Sequence, residues 1–180
     1  MKTKTPYAKA LDIAMQYKDE LEPYCERLEI AGSIRRKEEM VGDIEIVAIP
    51  KFETWGNQLF GEPITYNALE KVIAEASRNG LVLIKNGQRY KQMQLVEGIN
   101  LDLFICLPPA QWGVIYLIRT GSAEFSRKVV TQRKYGGYLP SDCIVKDGQV
   151  LRDGVLILMS EEEDYLELLG MSGLKPEERK

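Results

Sequence analysis

Gly42-Asp43-Ile44-Glu45-Ile46-Val47-Ala48-Ile49-Pro50 alternates acidic and aliphatic residues, then runs apolar to a proline. That is the pattern of a buried strand whose first half keeps one polar face. Side chains two apart share a face, so Asp43 and Glu45 point together, about 6–7 Å apart along the chain, while Ile44 and Ile46 point into a core. Neighbouring carboxylates repel unless a cation stands between them. Magnesium suits the position: it is hard, prefers carboxylate oxygen and shares its shell with substrate phosphates. Alone, a strand-borne Asp-x-Glu is more often a solvated face, so the flanking segments decide its meaning.

Upstream lies Ala31-Gly32-Ser33-Ile34-Arg35-Arg36, after a short strand expected through Leu28–Ala31. Gly32 permits close backbone approach to a ligand. Ser33 is placed to begin a short helical turn whose N–H groups face an anion, and Arg36 adds a charge suited to phosphate. A third acid, Asp102, interrupts the otherwise apolar run Ile99–Leu107. A buried carboxylate is costly without a partner, and a metal shared with Asp43 and Glu45 would satisfy it. Separately, Gly-Ser reads as a turn and Asp102 as a strand end; together the residues describe a phosphate cradle beside a three-carboxylate metal site.

Around this centre the chain reads as α+β, a mixed β-sheet with helices on one face followed by a smaller α/β subdomain. A helix is expected from Tyr7 to about Tyr24 and another from Asn67 to Arg78, stopped by Asn79-Gly80. Strands are expected at Leu81–Lys85, Tyr90–Glu97 and Ile99–Leu107, turned at Asn86-Gly87 and Glu97-Gly98. Phe52–Pro63 reads as a loop anchored by its aromatics, Trp55 and Phe60. Pro108-Pro109 marks a boundary between residues 1–107 and 108–180. Beyond it come helices at Ala110–Thr120 and Ser122–Lys134, hinged at Gly121, then a β-rich stretch. Ser160, with Glu163 three positions on, reads as the cap of a last helix ending at Gly170. The acidic run Glu161–Asp164 is expected to be a solvated turn that starts this helix.

Composition narrows the chemistry. The 180 residues include no His, which excludes imidazole dyads and triads and His-ligated zinc. Cys25, Cys106 and Cys143 are isolated, so neither a disulfide framework nor a Cys₄ metal site is expected. With no apolar run behind the amino-terminal lysines and no stretch approaching a membrane span, the expected location is the cytoplasm. The net charge of −3 argues against indiscriminate nucleic-acid coating, yet two basic clusters stand out. One is Arg119, Arg127, Lys128, Arg133 and Lys134; the other is Lys85, Arg89 and Lys91; both are candidates for contacting DNA phosphates.

The central pattern resembles the signature of the nucleotidyltransferase superfamily, and in detail that of the family X DNA polymerases, the polymerase beta relatives. Arg119-Thr120-Gly121-Ser122-Ala123-Glu124-Phe125 is similar to that family's Thr-Gly-Ser-x-x-Phe helix junction. Tyr138–Cys143, and Ser160–Asp164 through to Pro176-Glu177-Glu178-Arg179, resemble its carboxy-terminal segments. The resemblance covers nearly the whole chain. It implies a palm at 1–107 and a nucleotide- and DNA-binding subdomain at 108–180, with the palm starting close to Met1 and no lyase domain ahead of it.

On that resemblance the activity is magnesium-dependent DNA polymerisation, adding dNTPs to a primer 3′-hydroxyl, as in short-gap repair, by a monomer acting on primer-template or gapped DNA. Asp43 and Glu45 would bridge two Mg²⁺ ions, with Mn²⁺ as a substitute, and Asp102 would ligate the catalytic ion and accept the proton. Gly32, Ser33, Arg36 and Gly42 would serve the phosphates, assisted by Lys4, with Thr120 and Gly121 near the sugar and base and Arg127 near the templating base. The chain departs from the family at Glu45, where Asp is usual, at Ile118-Arg119, where Tyr-Phe is usual, and at Val130, where a minor-groove Arg is usual. Poor base selection is the expected consequence. Alternatives are a nucleotidyltransferase working without a template or on RNA or another acceptor, and a nucleotide-binding module whose catalysis has decayed.

Overall fold

A computed structural model of the chain describes residues 4–56 and 63–180. Strand β1 (Thr5–Pro6) leads into helix α1 (Tyr7–Leu21), which a 3₁₀ turn at Glu22–Tyr24 extends. Strand β2 (Cys25–Ile30), the one-turn helix α2 (Gly32–Arg35) and strands β3 (Met40–Val41) and β4 (Asp43–Pro50) follow. β5 (Phe52–Trp55) and β6 (Ile64–Asn67) pair antiparallel, where the sequence predicts a loop. The correction has a local cause: Thr54 and Thr65 face each other across the pair, and β-branched and aromatic residues favour the pleated conformation. Trp55 is 74 % exposed, so it anchors nothing in the described structure; Phe60 lies outside the described residues.

Helix α3 (Ala68–Arg78) begins where Asn67 Oδ1 accepts from Glu70 N at 3.0 Å, a side-chain cap that satisfies one of the free N–H groups. Strands β7 (Val82–Asn86), β8 (Tyr90–Gln94) and β9 (Asn100–Ile105) complete a five-stranded sheet in the order β2-β4-β9-β8-β7. Only β4 and β9 run parallel, and β9 is central. This sheet is mixed, and the chain is α+β.

Strand alternation gives the sheet two unlike faces. Ile44, Ile46, Ala48, Leu101, Leu103 and Ile105 pack with Ala10, Ile13 and Ala14 of α1 and Leu69 and Ile73 of α3 in the larger core. The opposite face carries Asp43, Glu45 and Val47 of β4 and Asp102 and Phe104 of β9. There Val47 and Phe104 are covered by Trp112 and Tyr116 of helix α4 (Trp112–Thr120).

Helix α5 (Ala123–Val130) is capped by Ser122, whose Oγ accepts from Phe125 N at 3.1 Å. It stops four residues short of the predicted end, because Val129-Val130-Thr131 is a β-branched run that loses side-chain freedom in a helix. A 3₁₀ turn at Arg133–Tyr135 and a bridge between Gln132 and Leu139 follow. Strands β10 (Cys143–Lys146), β11 (Gln149–Arg152) and β12 (Val155–Ile157) form an antiparallel sheet, and α6 (Glu162–Leu169) ends at Gly170. Val114, Leu117, Phe125, Val129, Tyr165 and Leu166 belong to this second core. All three cysteines are buried thiols. Among the described residues, no helix is long and apolar enough to cross a membrane.

Candidate functional site

The parallel register of β4 and β9 sets Glu45 directly beside Asp102 and Asp43 beside Asn100. Residues opposed in this way share a face with Cβ atoms about 5 Å apart. The three acids predicted from sequence thus stand on one sheet face, next to the lobe carried by α4. Glu45 is held against α2: Ala31 N donates to Glu45 O at 2.8 Å, and a Cβ on Gly32 would lie 1.7 Å from Glu45 Oε2. Gly32 also has φ +60°, a conformation glycine adopts without steric cost. Burial, then Asp102, push the Glu45 carboxyl up to about 7, with Asp43 adding to the rise and Arg36 and Arg119 opposing it. Asp102 Oδ1 accepts from Gln92 Nε2 at 2.8 Å and from Tyr90 Oη at 3.1 Å.

These partners were not anticipated. Antiparallel pairing of β8 with β9 places Gln92 opposite Asp102 and Tyr90 opposite Phe104. The Glu97-Gly98 turn contained the signal: centred near residue 97, it makes the indices of opposed residues sum to 194, which the observed pairs do. Tyr90 stacks on Phe104 with centroids 5.1 Å apart. Arg119 Cζ stands 3.9 Å from the Phe104 ring centroid, and Lys85 Nζ lies 5.3 Å from the centroid of the Tyr90 ring. Burial, then the Asp102 carboxylate, raise the Tyr90 phenol to about 12. Arg119 is exposed, yet surrounding protein pulls its pKa below the ordinary value, against the opposing effect of Glu45, Tyr90 and Asp102.

The other predicted nucleotide residues gather around the junction of the lobes. Ser33 lies within α2, half-buried. Arg36 donates to Thr120 O at 2.7 Å and pairs with Glu38 at 3.5 Å. Lys4 joins Arg36 in lining a cavity of about 520 Å³. Thr120 is fully buried, its Oγ1 bonded to Arg35 at 2.7 Å. A Cβ on Gly121 would meet the Phe125 ring at 2.4 Å, whereas one on Gly42 would meet nothing within 4 Å.

The basic clusters are redistributed. Lys91 is 1 % exposed and sits on the helix-covered face, where its ammonium bonds Glu70 and Asn86. Its assignment to an exposed DNA-contacting cluster is therefore corrected: strand alternation turns it away from Lys85, Tyr90 and Gln92. Arg89 donates to Pro108 O at 2.9 Å, and Arg133 to Tyr138 O at 3.1 Å and Leu169 O at 3.0 Å. Lys128 pairs with Glu124 at 2.6 Å. Arg127 and Lys134 are exposed on α5 and the turn after it, as Lys85 is on β7.

The acidic run starts α6 as expected, but its solvation is corrected at Glu162. Glu162 is not a solvated turn residue: it takes two bonds from Arg35, at 2.6 and 2.7 Å, and two from Arg179, at 2.6 and 3.2 Å. Glu161 takes a two-pronged contact from Arg27, both bonds at 2.7 Å. It is also the helix cap, in a reciprocal arrangement with Asp164, displacing the predicted Ser160.

In this side-chain arrangement, no three His, Cys, Asp or Glu side chains among the described residues form a group able to hold a metal ion. Asp102 is engaged with Gln92 and Tyr90, while Glu45 lies against Gly32. No protein-family model matches the chain, and no curated protein matches it.

Proposed function

We propose that the chain is a nucleotidyltransferase of the family X polymerase type, adding dNTPs to a primer 3′-hydroxyl with two Mg²⁺ ions, Mn²⁺ being able to replace them. In this reading residues 1–107 are the palm and 108–180 the nucleotide-selecting subdomain. The observation that carries it is the register pairing Glu45 with Asp102 on the face that also presents Asp43. The donor set suits a hard divalent ion. Burial first, and Asp102 second, push the Glu45 carboxyl up to about 7, a cost to the charged form that a bound cation would offset. Binding would require Asp102 and Glu45 to turn from their present contacts toward a common ion.

Asp43 and Glu45 would hold both ions and Asp102 one of them. When bound, the ions supply Lewis acidity for the 3′-hydroxyl and neutralise the triphosphate. The chain's own residues do the rest. Gly32 lets Glu45 and the phosphates approach the α2 backbone, and Ser33 and Arg36 contact the phosphates. Gly121 borders the sugar, and the buried Thr120 behind it fixes Arg35 and Arg36. Asp102, released from Gln92 and Tyr90, is the residue assigned to receive the hydroxyl proton.

The test is primer extension on gapped, recessed and unprimed single-stranded DNA, with each dNTP or rNTP and with Mg²⁺ or Mn²⁺. Incorporation abolished by Asp43→Ala is expected. No incorporation by the wild type on any of these substrates would overturn the polymerase reading, and unchanged activity in Asp43→Ala would overturn the site. A second reading, transfer without a template or to RNA or another acceptor, is favoured by one observation: Lys91 is buried, and Arg89 and Arg133 are bonded to backbone carbonyls. Those cations contribute less to a duplex grip than the sequence implies. Incorporation confined to unprimed DNA, or to an RNA acceptor assayed alongside, would select that reading.

A further inference from the structure

Arg119 occupies a defined place beside the acids. It comes from the last turn of α4, whose approach to the sheet is set by Trp112 and Tyr116 packing with Val47 and Phe104. Positions 112, 116 and 119 recur at helical spacing along one side, so the same packing delivers Arg119 over Phe104, where the guanidinium centre stands 3.9 Å from the ring centroid. Phe104 is two residues beyond Asp102 on β9 and therefore on the same face, about 7 Å along the strand. Asp102 is in turn directly opposite Glu45. A guanidinium remains protonated at every physiological pH, and its planar cation is well suited to stacking on an aromatic ring. Tyr90 stacks on the same Phe104 ring and bonds Asp102, so the aromatic pair joins the cation to the carboxylate site.

We propose that Arg119 is the resident counter-cation of the Glu45–Asp102 pair, a positioning residue with which a divalent ion must compete. The inference rests on the reading of Asp43, Glu45 and Asp102 as metal ligands. Arg119 partly balances the two carboxylates in the metal-free protein. It also lowers the affinity of the bare site for a second cation, so that tight metal binding requires the additional oxygen ligands of a nucleotide triphosphate.

The readout is Mn²⁺ binding to the metal-free, nucleotide-free protein, followed through the electron paramagnetic resonance signal of free aqueous Mn²⁺. Arg119→Met, which keeps the bulk over Phe104 and removes the charge, is expected to bind Mn²⁺ about tenfold more tightly than the wild type. Arg119→Gln, read in parallel in case the methionine variant does not fold, is expected to shift the same way. Arg119→Lys retains the charge and is expected to stay within about twofold of the wild type. Asp43→Asn is expected to remove the site in both the wild-type and Arg119→Gln backgrounds. Equal affinity in the wild type and the uncharged variants, with binding still dependent on Asp43, would overturn the role of Arg119 alone. Mn²⁺ binding indifferent to Asp43→Asn, or absent from every variant, would instead overturn the metal-ligand reading beneath it.

Discussion

A methyl group on Gly32 would fall 1.7 Å from Glu45 Oε2, at a backbone φ of +60°. Gly42, ten residues on, has open space at the same position. The two glycines flank the same segment but serve it differently, which makes them a matched pair for experiment. Gly32→Ala is expected to lower stability by about 1–2 kcal/mol and to abolish incorporation, since Glu45 must leave its place. Gly42→Ala is expected to stay within about 0.5 kcal/mol. Urea unfolding and single-nucleotide incorporation check both; equal effects at the two positions would refute the close-packing argument. That Gly32 tolerates close approach was readable from the sequence. That the approaching group is Glu45 was not, because a glycine specifies permitted space and not its occupant.

Among the elements, α6 shows how a correct local signal acquires the wrong register. Ser160-x-x-Glu163 and Glu161-x-x-Asp164 are both plausible caps, one residue apart. The second is realised because Glu161 N bonds Asp164 Oδ2 at 2.8 Å, while Glu163 Oε1 is taken by Gly173 N at 2.9 Å. Glu161→Ala is therefore expected to cost about 1 kcal/mol and Ser160→Ala less than about 0.5 kcal/mol, measured by chemical denaturation. Reversal of that order would restore the sequence-based cap. Helix α6 also lies very close to α4: a Cβ on Gly113 would lie 2.1 Å from Glu161 O. Lys91 shows the same limit within a strand. Composition marks it as a surface cation, but the two-residue period of β8 assigns it to the helix-covered face with Met93, where Glu70 and Asn86 receive it.

Across the whole molecule, the two lobes are tied by charge as well as by apolar contact. Arg35 and Arg179 converge on Glu162, whose side chain is 13 % exposed, and Arg35 also stacks on Tyr116 at 4.0 Å. Burial raises the Glu162 pKa, but hydrogen bonds from Arg35 and Arg179 outweigh it and hold the carboxyl below the ordinary value. A carboxylate depressed in the folded state contributes stability that is fully present above its unfolded pKa, about 4.3. That contribution is lost as pH falls through the lower folded value. Glu162→Ala leaves two guanidinium groups without their shared anion and is expected to cost about 3–5 kcal/mol near pH 7. The gap between variant and wild type should narrow below about pH 4, as read by urea midpoints at the two pH values; a gap independent of pH would show that Glu162 acts by packing alone.

The distribution of cations carries a second prediction at this scale. Lys85, Arg127, Lys128 and Lys134 remain the most available of those assigned to DNA. The logarithm of DNA affinity is therefore expected to fall with the logarithm of salt concentration at a slope no steeper than about −4. A markedly steeper slope, measured by fluorescence anisotropy over a salt series, would mean that Arg89, Arg133 or Arg119 leaves its present contacts to meet phosphate.

Periodicity, turn residues and the isolation of Asp102 in an apolar run are properties of short segments, and they were sufficient for the strands that carry Asp43, Glu45 and Asp102 and for the common face of the first two. The parallel pairing that brings Asp102 beside Glu45, the arrival of Arg119 over Phe104 and the convergence of Arg35 and Arg179 on Glu162 join residues separated by 57, 15, 127 and 17 positions. Pairings that distant depend on how elements pack, with long side chains settling wherever burial leaves an opposite charge. No local pattern encodes that choice.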